Sequence, residues 1–191
     1  MNRLILLRHG RTEGNARHLY YGKTDLPLLP QTVLELRAAS ERGVYPAPDR
    51  FSFVTSGMLR TEQTLRAIYG NVPFSVIEEL CEINFGIFEM KSYEELKDTP
   101  VYQAWVSGDW YRNVPPEGES FAECEARMLQ GLARLLAREQ DTICVCHGGT
   151  ILTIMAHLFP EEGKDGYTWQ PEPGFGYEID LKNHAYLPIS S

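Results

Sequence analysis

The sequence contains no long hydrophobic run. Its first aliphatic stretch, Leu4 to Leu7, comes directly after Met1-Asn2-Arg3. It is far shorter than the roughly 20 apolar residues of a membrane-spanning helix or the roughly 7–15 of a signal-peptide core. We therefore expect no membrane partner and no secretion, and we predict a cytoplasmic location.

Cysteine is scarce as well. The four cysteines show no Cys-x-x-Cys spacing, which argues against a disulfide framework. Cys144 and Cys146 stand just before His147, but their segment is apolar and has no second pair of ligands, so we predict no zinc site. The sequence also lacks a P-loop and a dinucleotide-binding loop. We expect neither a metal nor an organic cofactor.

Basic residues are fewer than acidic ones. The 18 Lys and Arg against 26 Asp and Glu give a formal net charge of −8. Nonspecific binding to nucleic acid depends on clustered cations, so we expect no nucleic-acid partner. An anionic small molecule remains compatible with this balance, because two arginines in one cleft can focus positive potential. We predict a small positive pocket on a negative surface.

The order of apolar segments indicates the fold. A length of 191 residues and an apolar fraction of 43% favour a single domain, residues 1–191. Strands that alternate with helices predict an α/β fold, a three-layer α/β/α sandwich with a mostly parallel sheet covered on both faces. We predict strands at 4–7, 51–54, 74–77, 142–146, 177–181 and 186–189, a loop at 11–29, and main helices at 32–42, 59–69, from 120 onward and at 150–158, the last beginning at a glycine pair.

Capping-box spacing marks helix starts at Thr32 and Ser92, and Ser120-Phe121-Ala122-Glu123 is predicted to start another helix. The helix after Ser120 has the strongest apolar periodicity, and the side chains on its apolar face are predicted to enter the core. These side chains are Phe121, Cys124, Met128, Leu132 and Leu135.

Residues 83–118 are predicted to form a small helical cap. This segment is crowded with aromatic residues, at positions 93, 102, 105, 110 and 111. Two interpretations stay open: these rings pack the cap onto the core, or Trp105 or Trp110 lies at the mouth of a pocket and contacts a ligand.

Side chains that can bind an anion follow the predicted strands. Arg8 and His9 end the first strand, Arg60 comes just after the second, and His147 ends a later one. Ligand sites of open α/β sheets lie at the carboxyl ends of strands, so we expect these groups to converge. Guanidinium groups bind phosphate oxygens in pairs, and Asn15 adds an amide. The pattern predicts a phosphate site.

The residues alone leave the nucleophile and the acid open. A neutral imidazole can attack phosphorus, so His9 and His147 are both candidates. Gly148 opens a predicted helix, whose backbone N–H groups favour anions. Glu82 is a candidate acid, and the competing carboxylates are Glu78, Glu79 and Glu89.

Five motifs occur together in one order. They are Arg8-His9-Gly10-Arg11-Thr12-Glu13-Gly14-Asn15, Thr55-Ser56 followed by Arg60, Glu82 through Glu89, Pro116-Glu117-Gly118-Glu119-Ser120, and His147-Gly148-Gly149. In these motifs the chain resembles the histidine phosphatase superfamily, in the branch that contains phosphoglycerate mutases and small cofactor-independent phosphatases.

The resemblance implies a phosphoglycerate mutase-like fold and a phosphohistidine intermediate. His9 would be the nucleophile, His147 would stabilise the transferring phosphoryl group, and Glu82 would be the acid. The implied catalytic residues are His9, Glu82, Arg8, Arg60 and His147, and the implied substrate-binding residues are Arg8, Asn15, Arg60, His147 and Gly148.

We accordingly predict a phosphatase, a metal-independent phosphoric monoester hydrolase. Its partner would be a small-molecule phosphate ester; ribazole phosphate and sugar phosphates suit an aromatic cap about equally, and a homodimer is left open. The alternative is phosphoglycerate mutase-type transfer, for which Arg112 could bind a carboxylate. A binding module with an inactive pocket is a third hypothesis. It is motivated by Met90, where the family usually has glycine, and by Arg11, where the family often has glutamate.

Overall fold

The computed structural model describes residues 1–164 and 166–190. None of the helices in this part of the chain is long and apolar enough to cross a membrane. The strands are β1 (Arg3–Arg8), β2 (Leu19–Tyr20), β3 (Ser52–Thr55), β4 (Ser75–Val76), β5 (Lys91–Ser92), β6 (Thr142–Cys146), β7 (Gly176–Asp180) and β8 (Ala185–Ile189). The α-helices are α1 (Glu13–Ala16), α2 (Pro30–Glu41), α3 (Leu59–Tyr69), α4 (Tyr93–Leu96), α5 (Pro100–Val106), α6 (Phe121–Leu136) and α7 (Gly148–Leu158).

Six strands form the central sheet, in the order β4-β3-β6-β1-β7-β8. The neighbours from β4 to β1 pair in parallel, and β7 and β8 join antiparallel at one side. All five residues of β6 are buried, because a parallel strand in the middle of a sheet is covered on both faces. The predicted mostly parallel sheet is confirmed.

Side chains of β1 alternate between the two faces of the sheet. Leu4 and Leu6 enter one apolar cluster together with side chains of α6 and α7. Ile5 and Leu7 enter a second cluster, on the other face, together with side chains of α2 and α3. Helices therefore cover both faces, and the predicted three-layer α/β/α sandwich is confirmed.

Most predicted elements lie close to their observed bounds. α3 and β6 match at both ends, whereas β4 is limited to Ser75–Val76. Ser92 and Ser120 cap their helices through reciprocal hydrogen bonds, as capping boxes do. The buried residues of α6 are Cys124, Met128, Gly131, Leu132 and Leu135, so the predicted inward face is confirmed from Cys124 onward, and Phe121 is partly buried against it.

The prediction that a capping box at Thr32 starts α2 is wrong. The helix begins at Pro30, with Leu29 as its N-cap residue and no side-chain cap. Proline already has the backbone angle of a first helical turn, so the helix starts two residues earlier and Thr32 turns inward. A Cβ atom on Gly10 would lie 2.6 Å from Cγ2 of Thr32, which shows how closely the two pack.

The prediction of an uninterrupted loop at 11–29 is also wrong. Thr12 caps the one-turn helix α1. Its side chain accepts from the Asn15 backbone N–H, and the Asn15 side chain accepts from the Thr12 backbone N–H. Asparagine thus takes the place of the usual Glu or Gln of a capping box. Strand β2 follows and pairs antiparallel with β5.

The cap segment encloses a small aromatic core of its own. Its buried residues are Phe88, Leu96, Tyr102 and Trp105. The Trp105 ring stacks on Phe121 of α6, with 6.1 Å between centroids, and the packing interpretation holds for Tyr102 and Trp105. Trp110 is 55% exposed and packs edge-on against Phe121.

Candidate active site

The register of β1 and β6 brings the two histidines together. Arg8 pairs with Cys146, so His9 and His147 follow side by side at the carboxyl end of the sheet. The backbone N–H of His9 donates to the Cys146 carbonyl at 3.0 Å. The centroids of the two imidazole rings are 5.2 Å apart, in an edge-to-face arrangement. Residues from opposite ends of the sequence therefore meet at one point.

His9 is held as a neutral imidazole in one tautomer. Its Nδ1 lies 2.7 Å from the carbonyl oxygen of Gly10. A carbonyl only accepts, so Nδ1 carries the hydrogen and Nε2 keeps its lone pair. The pKa of His9 lies well below its ordinary value because the ring is buried and because Arg60 is close, although the Gly10 bond opposes this. Nε2 is thus available as a nucleophile at neutral pH.

His147 has its hydrogens arranged in the opposite way. The Nε–H of Arg60 donates to Nδ1 of His147 at 3.3 Å, so Nε2 carries the hydrogen and donates to Oγ of Ser56 at 2.8 Å. Ser56 in turn contacts the hydroxyl of Thr61, which donates to the Met58 carbonyl. Burial, followed by the charge of Arg60, lowers the pKa of His147 well below its ordinary value.

Arg60 lies in the first turn of α3 and is completely buried. Its NH2 donates to the Gly22 carbonyl at 2.7 Å and its NH1 to the Thr24 carbonyl at 3.0 Å. Its guanidinium carbon lies 5.2 Å from the centroid of the Tyr21 ring. Its ion pair with a carboxylate is to Asp25, at a distance of 3.7 Å. Neutral carbonyls therefore bind the guanidinium more closely than a carboxylate does, and its positive charge stays available to attract an anion.

The guanidinium of Arg8 has one nitrogen with a hydrogen-bond partner and one without. NH1 donates to the Pro171 carbonyl at 2.8 Å, while the buried Nε has no hydrogen-bond partner among the described residues. A Cβ on Gly148 would lie 3.1 Å from this Nε and 2.3 Å from Nε2 of Gln170. The absence of a Cβ at Gly148 therefore lets Arg8 and Gln170 pack closely against the N-terminus of α7, where backbone N–H groups favour anions.

Asn15 lies beside Arg8 in a cavity of about 430 Å³ that Tyr21 also lines. Its Oδ1 accepts from the Thr12 backbone at 3.0 Å and from the Tyr21 hydroxyl at 2.8 Å. These bonds fix the amide and leave Nδ2 as the group that can donate to a ligand.

Glu82 approaches the same helix end from another side. Its Oε2 accepts from the Gly149 backbone at 3.0 Å, and its Oε1 accepts from the Ile83 backbone at 3.1 Å. A Cβ on Gly149 would lie 2.4 Å from Oε1, so this contact also depends on glycine. Glu82 lines a cleft of about 970 Å³, which Ser56, the partner of His147, also lines.

The competing carboxylates have other partners. Both oxygens of Glu79 bond Arg134 at the surface, and Glu89 accepts four backbone N–H groups. Glu78 lines the same cleft but makes no recorded contact with α7. Of the candidates, Glu82 is the one that bonds the helix beside His147.

Sequence reasoning missed several residues that hold the site. Arg127 of α6 donates to the carbonyls of Glu79, Cys81 and Glu82, and Tyr21 contacts Asn15 and Arg60. A lone arginine on the polar side of a helix carried no signal for the first role. The contacts of Tyr21 could not be predicted either, because the sequence of residues 11–29 predicts a loop.

The fold and this cluster of imidazoles, guanidiniums and one carboxylate define an enzyme that handles phosphate esters. The family model of the histidine phosphatase superfamily (branch 1) matches residues 4–184, and the chain belongs to this superfamily.

Relatives of known name agree with this assignment. The adenosylcobalamin/alpha-ribazole phosphatase of Salmonella typhimurium is 30% identical over 185 residues, which cover 94% of this chain and 90% of that protein. A 2,3-bisphosphoglycerate-dependent phosphoglycerate mutase of Rhizobium etli is 32% identical over 81% of this chain and 78% of the mutase. The crystal structure of the alpha-ribazole phosphatase from Shigella flexneri superposes with a TM-score of 0.84 at 27% identity, covering 98% of this chain and 96% of that one. The prediction of a phosphatase is confirmed.

Proposed function

We propose that His9 is the phosphoryl acceptor and that the enzyme hydrolyses a small phosphate monoester in two steps. The observation that carries this proposal is the hydrogen bond from His9 Nδ1 to the Gly10 carbonyl, because it leaves the lone pair on Nε2. The His147 ring lies beside the His9 ring, and the charges of Arg60 and Arg8 act on His9, so donors of the two arginines can neutralise the charge of a phosphoryl group.

In the first step, Nε2 of His9 attacks phosphorus and the bond from phosphorus to the ester oxygen breaks. Glu82, as a neutral carboxyl, gives its proton to the departing alcohol oxygen. In the second step, the Glu82 carboxylate takes a proton from water, the resulting oxygen attacks phosphorus, and the P–N bond breaks. His9 recovers its lone pair and inorganic phosphate leaves.

Phosphate oxygens would be bound by donors already fixed in place. The support for this role is the unpaired Nε of Arg8, the carbonyl-held guanidinium of Arg60 and the oriented amide of Asn15. The backbone N–H of Gly148 completes the set, and His147, whose N–H is donated to Ser56, takes part by accepting from Arg60 through Nδ1. Because guanidinium groups supply the positive charge, we propose that the reaction is independent of metal ions.

The cleft of about 970 Å³ beside Glu82 would receive the leaving group. The names of the relatives favour alpha-ribazole phosphate as the substrate, and sugar phosphates are the competing class. Hydrolysis screened across a library of phosphate esters, in the presence of a chelator, tests the substrate class and metal independence together.

Phosphoglycerate mutase activity is the second candidate, supported by the Rhizobium etli relative. The position of Arg112, the arginine expected to bind a substrate carboxylate, does not favour mutase activity. The side chain of Arg112 is 77% exposed and its recorded ion pair is to Asp109, away from both clefts of the site. Mutase activity above hydrolysis in a coupled assay would reverse this ranking.

A cytoplasmic location and a homodimer remain predictions.

Trapping the intermediate tests the nucleophile directly. Brief reaction with an aryl phosphate labelled at phosphorus, followed by an alkaline quench, is expected to leave the label on His9, located by mass spectrometry. His9→Ala is expected to lower hydrolysis by about 10⁴-fold or more. His157→Ala, at the exposed end of α7, is the control and should retain full activity. Normal turnover by the His9 variant would refute the proposal.

A further inference from the structure

The carbonyl groups that hold Arg60 belong to a short segment with no regular structure. Arg60 donates to the carbonyls of Gly22 and Thr24. On the other side of the same segment, the backbone N–H groups of Gly22, Lys23 and Thr24 all donate to the carboxylate of Glu89, at 3.0 to 3.1 Å. A carboxylate and a guanidinium therefore lie on opposite sides of residues 22–24.

We propose that Glu89 is a positioning residue, which orients the phosphate-binding guanidinium of Arg60 through the peptide groups of residues 22–24. This inference rests on the proposed role of Arg60 in binding the phosphate.

One peptide group connects the two charges directly. The Gly22 carbonyl, 2.7 Å from Arg60, and the Lys23 N–H, 3.1 Å from Glu89, are the two ends of a single peptide unit. In a planar trans peptide the C=O and N–H point in opposite directions. When Glu89 binds the N–H, the carbonyl must therefore point toward Arg60, and each hydrogen bond polarises the other.

Glu89 also ties this segment to the loop that carries Glu82. Its Oε1 accepts from the Phe85 backbone at 3.0 Å. The contact between the two segments is close, because a Cβ on Gly22 would fall 1.6 Å from the Ile83 carbonyl oxygen. The carboxylate of Glu89 thus connects the loop of the proposed acid, Glu82, with the segment that binds Arg60.

Only a carboxylate fits this position. All four recorded partners of Glu89 are N–H donors, and two carboxylate oxygens offer about four lone-pair sites. A glutamine has the same shape, but its NH₂ group would face donors that it cannot bind. Glu89→Gln should therefore rotate the peptides of residues 22–24 and loosen Arg60.

The test compares Glu89→Gln with Glu95→Gln. Glu95 is an exposed capping-box carboxylate that accepts from the backbone and hydroxyl of Ser92, so its variant also loses a carboxylate acceptor but does not touch residues 22–24. We expect the inhibition constant of inorganic phosphate and the KM of an aryl phosphate to rise about tenfold in Glu89→Gln and to stay unchanged in Glu95→Gln. Thermal stability should fall in both.

An unchanged inhibition constant in folded Glu89→Gln would overturn the proposal, because loss of stability alone leaves phosphate affinity intact. If the variant does not fold, hydrogen exchange of the wild-type protein decides. Inorganic phosphate should slow exchange at the amides of residues 22–24 and 85, and unchanged exchange there would also overturn it. Failure of the proposed function is distinguishable: the wild type would then form no phosphohistidine, whatever the phosphate affinity of the variants.

Discussion

The two halves of the site are built in different ways. The strand-end cluster consists of Arg8, His9, Arg60 and His147. Its members lie at the ends of buried strands or, for Arg60, in the first turn of α3, so pairing within the sheet sets the backbone of the cluster. Residues 78–89, called here the acid segment, contain only two short 3₁₀ turns. Side chains hold the acid segment instead, chiefly Arg127 and Glu89. The comparison indicates that the fold sets the backbone of the cluster, whereas the backbone of the acid segment depends on a few side-chain bonds.

Part of the backbone strain lies beside the acid segment. The described residues other than glycine with a positive φ are His18, Met90, Glu117 and His184. Met90 directly follows the acid segment, and the carbonyl of Glu117 accepts from the Asn84 side chain within it. Such conformations cost of order 1 kcal/mol or more and persist where surrounding structure holds them. Two of the four strained positions therefore lie beside the acid segment.

The largest expected effect separates the chemistry of the two halves. Glu82→Gln keeps an oxygen for the Gly149 N–H but cannot give or take a proton. Turnover of an alkyl phosphate should fall by about 10²–10³-fold, as expected for loss of a general acid and base. The inhibition constant of inorganic phosphate should be unchanged, because the strand-end cluster still binds it.

An aryl phosphate with a good leaving group provides the sharper measurement. Its phenolate leaves without a proton, so Glu82→Gln should show a rapid burst of phenolate, followed by slow turnover while phosphohistidine accumulates. Glu78→Gln, on the same cleft, is the control and should behave like the wild type. Equal loss of burst and steady-state rates would contradict the separate roles of cluster and acid segment.

The second prediction uses pH to probe the buried histidines of the cluster. His9 and His147 have folded-state pKa values well below the ordinary value near 6.5, mainly because of burial. Below about pH 6.5 the unfolded chain binds protons that the folded chain does not. The stabilising effect is therefore complete above this pH and is lost as pH falls, by about 1.4 kcal/mol per pH unit for each histidine.

Urea unfolding at pH 7, 6 and 5 measures this slope. His9→Ala removes one of the two groups, so its free energy of unfolding should fall less steeply with decreasing pH than that of the wild type. The exposed His157 provides the control, since His157→Ala should keep the wild-type slope. Parallel curves for all three proteins would mean that the cluster accepts protons as readily as the unfolded chain.

The same division explains what the sequence could and could not predict. Arg8, His9 and His147 could be placed together because each ends a strand whose apolar run is visible, and parallel strands share one carboxyl edge. Glu82 needed the family resemblance, since no periodic element leads to it. Arg127 and Glu89 act through contacts with distant backbone groups, and such contacts leave no pattern in residue order.

The smallest effect concerns the strain beside the acid segment. Glu117 is exposed, has a φ of 64° and no recorded side-chain hydrogen bond, so Glu117→Gly removes strain and little else. Relief of about 1 kcal/mol or more, reduced by the greater freedom of glycine in the unfolded chain, should raise the free energy of unfolding by about 0.5 kcal/mol, measured in urea. Glu94→Gly, in helix α4, should lower it by about 1 kcal/mol. If both variants lost stability equally, the strain at Glu117 would be matched by contacts of its side chain, and the contrast between the two halves would rest on hydrogen bonding alone.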